Sequence, residues 1–202
     1  MGIPVPRREN PKEGAYAGVV AAIWEVGAHV TEYEGRKEVK DKAVIVVELD
    51  GSQAGFIGGD RQHILYDEIN LPMFWPGKRN SNLYSYADAT LGSAGADALN
   101  DYEEIVGHGV QVGVKITNDR ARVKTISPLM SGTAVPPITG DHSKPTGLAS
   151  YLLEKAIPEC EVFDLKKKFA DEDAARKSKA DAQAEADAEA FSAPHANEDV
   201  PF

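Results

Sequence analysis

A chain of 202 residues, 42% of them hydrophobic, has room for one compact domain with extensions or for two small ones. Its formal net charge of −10 argues against a nucleic-acid partner, because phosphate contacts need Lys and Arg. A single cysteine, Cys160, excludes an intrachain disulfide and a cysteine-based zinc site, and no run approaches the ~18 apolar residues of a membrane span.

The charge is unevenly placed. Residues 1–150 carry 15 basic and 19 acidic side chains, whereas residues 151–202 carry 7 and 13. Residues 180–202 hold six acids and no base. A local basic face is therefore compatible with the acidic total. Residues 1–13, with three prolines and mixed charge, read as a loose arm. Met1–Arg8 lacks the apolar stretch of a signal peptide, so a soluble cytoplasmic protein without membrane contact is expected.

From Gly14 the pattern turns β-rich. Gly14 to Val30 reads as a long strand whose glycines at 18 and 27 allow a bend or bulge. Tyr16 and Trp24 fall on one face of it with Val20 and Val26. Thr31–Lys37 is a polar hairpin connection, and Asp41–Leu49 (DKAVIVVEL) is the strongest strand by β-branched content. Gly51–Gly59 reads as a glycine-rich loop, and a strand is expected near Ile64–Ile69. Tyr86–Val106 reads as a helical insertion. Val110–Ile116 and Arg120–Ile126 alternate as two strands around an Asn118-Asp119 turn. Five strands with a helix between the third and fourth predict a mainly β OB-fold, a partly open Greek-key barrel, over residues 14–130. Residues 131–149, rich in Pro, Gly, Ser and Thr, are expected to be a linker, with a short helix near Ser150–Lys155. Residues 150–196 are charged and Ala-rich without an apolar stripe, a helical or disordered tail before the segment 197–202.

Candidate binding residues are the cations and aromatics of the barrel: Tyr33, Arg36, Lys37, Lys40 and Lys42 from the hairpin and second strand; Trp75, Lys78, Arg79, Tyr84 and Tyr86 before and at the start of the helix; Lys115, Arg122 and Lys124 from the last two strands. Single-strand binding needs cations to follow phosphates and aromatic faces to stack unpaired bases, each stacked base contributing roughly 1–3 kcal/mol. Trp75-Pro76-Gly77-Lys78-Arg79 puts a large ring beside two cations. Glu198, Asp199, Val200, Pro201 and Phe202 form a second kind of site: an apolar ring for a pocket, a proline that limits ordering cost, and acids that steer towards a basic rim.

The Asp199-Val200-Pro201-Phe202 segment resembles the acidic tip of bacterial single-stranded DNA-binding proteins, which closes with acids followed by Ile/Val-Pro-Phe, and Glu198 matches its acidic character. Gly14-Ala15-Tyr16-Ala17-Gly18-Val19-Val20, Glu32-Tyr33-Glu34-Gly35-Arg36 and Val44–Leu49 look like a group of bacteriophage-encoded single-strand binders. The resemblance implies a protein of the bacterial host cell that coats and protects single-stranded DNA in replication, recombination or repair, recruits replication and repair proteins through Glu198–Phe202, and has scope to form a homo-oligomer. A strand-annealing recombination mediator and an adaptor that binds only protein are the alternatives.

Nothing in the motifs points to an enzyme. The histidines His29, His63, His108, His142 and His195 form no H-x-x-x-H pair, and G-x-S-x-G and G-x-x-x-x-G-K-[ST] are absent. No catalytic residue, cofactor or metal is expected.

Overall fold

The computed structural model describes residues 10–57, 61–71 and 81–192, with side chains as far as residue 185. Taking these residues, two compact units are present: residues 10–29 with 40–157, and residues 30–39 with 158–192. No described helix is long and apolar enough to cross a membrane.

The first unit is mainly β. Its strands are β1 (Gly14–Tyr33) and β2 (Arg36–Leu49), whose ends at residues 30–39 belong to the second unit, with β5 (Ile64–Asn70), β6 (Gly109–Thr117) and β7 (Arg120–Pro128). They form one sheet in the order β5-β2-β1-β6-β7, and the β1–β6, β2–β5 and β6–β7 ladders are antiparallel. The end strands β5 and β7 approach each other, but among the described residues no ladder joins them and the sheet stays open. Two-residue turns close the β1–β2 and β6–β7 hairpins. Glu34 and Gly35 in one, and Asn118 and Asp119 in the other, all take positive φ, as a turn matching the sheet's twist requires.

Alternation packs Tyr16, Val20, Ala43, Ile45, Val47, Leu49, Leu65, Ile69, Val110, Val112 and Val114 onto an inner face. Helix α2 (Asn82–Ala98) supplies Leu83, Tyr84, Tyr86, Ala87 and Ala89 to this core. Ser81 caps it by accepting from the Tyr84 amide, and Gly92 (φ 72°) breaks it. The helix thus starts before the expected Tyr86 and ends before Val106, with a 3-10 turn at Tyr102–Ile105. In the expected loop Gly51–Gly59, the described residues 51–57 carry regular structure: Asp50 caps a one-turn helix α1 (Gly51–Ala54), and β3 (Phe56–Ile57) pairs with β4 (Arg61–Gln62).

The outer face of β1, β2 and β5 is also covered. Val26, Val44 and Val46 pack there with Ala21, Ala22, Trp24, Ile64 and Tyr66, beneath Leu148, Ala149 and Leu152 of helix α3 (Leu148–Leu153). Trp24 therefore does not share the face of Tyr16 and Val20: Ala21 and Ala22 both pack outward, the alternation slips by one residue, and Ile23 returns to the inner core. The expected linker over 131–149 is a packed strap. Pro136 is buried, Gly140 and Thr139 bind β2, and Thr146 meets Tyr66.

In the second unit, helix α4 runs from Glu159 to Ser192. Within the segment 150–196, expected to be helical or disordered, residues 159–192 form a continuous helix, because Ala, Lys, Glu and Arg have high helix propensity and an apolar stripe is needed for packing rather than for helicity. Arg36 Nε lies 3.5 Å from Asp173, and Arg176 donates to the carbonyl of Gly35.

Candidate nucleic-acid interface

The cations of β6 and β7 gather on the outward face. Inward positions on β7 are Ala121, Val123 and Ile126, all packed on the core. Strict alternation from Ala121 and Val123 would turn residue 125 inward and residue 126 outward. The register instead slips between Gly113 and Val114: Gly113 pairs with Thr125, Val114 with Val123, and Lys124 is the extra residue of a bulge. Lys124 and Thr125 are consequently both exposed. Gly113 makes room for this, since a Cβ there would lie 2.2 Å from Thr125 Oγ1.

Lys115 stands directly opposite Arg122, and Arg120 follows the Asn118-Asp119 turn opposite Thr117. All of Lys115, Arg120, Arg122 and Lys124 are exposed, and among the described residues none makes an ion pair. Like charges directly across a ladder repel. The nearby Glu13 does not relieve them through an ion pair; its carboxylate accepts from the Ile116 amide at 2.7 Å. Asn10 donates to the carbonyl of Asp119 at 2.7 Å. The end of the expected loose arm, residues 10–13, is thus tied to this hairpin.

The other predicted residues divide. Tyr33 is 75% exposed at the β1–β2 turn and Lys37 is exposed beside it, but Arg36 is held by Asp173. Lys40 is half-buried and already engaged, and Lys42 is paired with Glu68 across β2 and β5. Tyr84 and Tyr86 are core residues, 8% and 1% exposed, so neither presents a ring for stacking. The helix that starts at Asn82 turns both inward. Tyr86 donates to Asp67 Oδ2 at 2.9 Å, and Tyr84 donates to Asp97 at 3.2 Å. Burial and the neighbouring Asp67 push the Tyr86 phenol well above its usual range. Burial also raises Asp67, with the Tyr86 hydrogen bond opposing it and Glu68 adding to it. Trp75, Lys78, Arg79 and the segment Glu198–Phe202 lie outside the described residues.

Sequence reasoning passed over a buried charge. Glu48 on β2 is fully buried, facing the strap. Its Oε2 accepts from Thr139 N and Oγ1 at 2.8 and 2.9 Å, and its Oε1 accepts from Gly140 N at 2.8 Å and meets His142 Nε2 at 2.5 Å. Burial pushes the carboxyl up, but the hydrogen bonds from Thr139, His142 and Gly140 together outweigh it and hold the group below its ordinary range. The signal was present: an acid at the end of an otherwise continuous apolar run needs a polar partner if the run is covered on both faces.

No group of three or more His, Cys, Asp or Glu side chains suited to a metal ion occurs among the described residues. No protein-family model, curated protein or solved structure matches this chain.

Proposed function

We propose that this protein is a non-catalytic binder of single-stranded DNA, built on an OB-type barrel and engaging the phosphate backbone along the outward face of β6 and β7. The single observation that carries the reading is the cluster Lys115, Arg120, Arg122 and Lys124, without an ion pair among the described residues and with two like charges facing each other across the ladder. Such an arrangement costs stability while empty, and a line of phosphates relieves it. The strand order supports the fold assignment. Read in chain order, the five long strands lie 3-2-1-4-5 with α2 between the third and fourth, the Greek-key order of an OB barrel opened between its third and fifth strands. Trp75, in the sequence, supplies a ring for an unpaired base.

On this reading the protein protects exposed single strands in replication, recombination or repair. Glu198–Phe202 recruits partner proteins, a part of the proposal that rests on the sequence of that segment. The test is a fluorescence titration with oligo-dT across a salt series. Four phosphate contacts predict a slope of log K against log salt of about −3, at roughly 0.7 per contact for single strands. Arg122→Ala lowers the slope by about 0.7 and Arg122→Glu weakens binding further. Absence of any binding at micromolar protein rejects the reading and favours a protein-only adaptor.

A further inference from the structure

The strap over the sheet is held in an unusual way. Among the described residues, no backbone hydrogen bond joins residues 129–147 to β1, β2 or β5. Its polar contacts with the sheet are side-chain contacts at two places. Glu48 takes the amides of Thr139 and Gly140, the Thr139 hydroxyl and the His142 ring, and the Tyr66 hydroxyl meets Thr146 Oγ1 at 3.2 Å. Gly147 (φ +57°) lies against the Tyr66 ring so closely that a Cβ there would be 2.8 Å from Cζ. Beneath and beside these points are two aromatic rings, Trp24 and Tyr66, each half-buried and packed on the outward-facing Val44 and Val46. The inner core is a separate cluster from this layer, and the β1–β6 and β2–β5 ladders contain no strap residue.

We infer that the strap, residues 135–147, is a displaceable cover latched by the Glu48 carboxylate, and that the face beneath it is a second site where unpaired bases stack on Trp24 and Tyr66. The ligand class rests on the function proposed above; the cover does not. An aromatic pair on a flat, β-branched floor accepts a base face without reading its edge, which suits a sequence-tolerant contact. Of the two holding points, the charged one is a single group, Glu48. Removing its charge leaves the Thr139 and Gly140 amides without their carboxylate and lets solvent take them, while every sheet hydrogen bond stays in place. Cover and strand compete for the same rings, so affinity on this face is set by how firmly Glu48 holds.

The test uses the full chain and two variants. Glu48→Gln removes the charge at nearly constant shape. Gly147→Ala leaves the charge and forces the cover off Tyr66 from its other end. Hydrogen exchange is expected to speed up in both over residues 135–147 while Ala43–Leu49 and Leu65–Ile69 keep their protection. Loss of protection in strap and strands together, in either variant, makes the strap part of the cooperative fold and overturns the proposal; so does unchanged exchange in the strap. In a Trp75→Phe background, where Trp24 is the remaining tryptophan, Glu48→Gln is expected to bind oligo-dT about tenfold more tightly, within the range of one added stacked base, with stronger quenching. Adding Trp24→Leu, with binding then read by mobility shift, abolishes the gain. Unchanged or weaker binding with a freed strap overturns the stacking site. If neither parent nor variant binds oligo-dT at any salt, the function proposed above fails instead, and the exchange pattern still decides the cover.

Discussion

Two carboxylates on neighbouring strands, Glu48 buried and Asp67 half-buried, show how environment sets opposite roles for one functional group. Glu48 is fully buried yet held below its ordinary range by the donors of Thr139, Gly140 and His142. Its folded value is depressed, so it contributes stability above the unfolded value of 4.5 and loses it as pH falls through the folded one. Asp67 is raised by burial, with one hydrogen bond from Tyr86 too little to offset it. Its contribution has the reverse sign: favourable below the unfolded value of 3.8 and lost as pH rises through the folded one. Glu48→Gln is therefore expected to cost about 2 kcal/mol at neutral pH, the scale of hydrogen bonds to a charged group, with the gap to wild type closing in acid. Asp67→Asn, which keeps an acceptor for Tyr86, is expected to raise the melting temperature at pH 7 and to lose that advantage near pH 4. Thermal melts of both variants across pH decide the matter; parallel curves for the two substitutions would contradict it.

At the scale of elements, what the sequence made legible follows from how far each element's signal is local. β6 and β7 alternate, their turn residues tolerate positive φ, and both strands fall within two residues of their expected bounds. DKAVIVVEL was legible as a strand, and its unbroken Val44–Val47 run also carried the message that both faces are buried. Which segment supplies the second cover depends on contacts some ninety residues away, at Thr139 and Gly140, and no local pattern encodes that. The same limit explains Tyr84 and Tyr86: their ring chemistry suits stacking, and only the start of α2 turns them into the core. The bulge at Lys124 was hidden too, because alternation through Arg122 and Lys124 continues unbroken up to the slip. That bulge yields a prediction of its own. Gly113→Val places a Cβ against Thr125 Oγ1, and the overpacking is expected to cost about 1–3 kcal/mol. Thr125 and Lys124 move with it, so oligo-dT affinity falls alongside stability. A stable Gly113→Val protein that binds as wild type would show that Lys124 takes no part.

For the whole molecule the proposed function raises the question of how a chain of net charge −10 would hold a polyanion. Charge acts locally in salt: beyond a Debye length, roughly 8 Å at physiological ionic strength, distant groups are largely screened. A strand lying on β6 and β7 meets Lys115, Arg120, Arg122 and Lys124 at contact range, whereas most acids of the chain lie elsewhere in its sequence, with Asp181, Glu185, Asp187 and Glu189 falling in a stretch without a base. At low salt the screening length grows to about 30 Å at 0.01 M, and the acidic stretch then opposes a second polyanion. Neutralising those four acids to Asn and Gln brings the formal charge from −10 to −6 without touching the ribbon. The expected result is tighter oligo-dT binding near 10 mM salt and affinities that converge with wild type above about 0.3 M, where the Debye length is only several ångströms. A constant gain at every salt concentration would instead mean that the acids act by direct contact, and no gain at low salt would mean that the ribbon is blind to them. Measuring the slope of both proteins separates the three cases, because four local contacts fix its high-salt limit whatever the net charge.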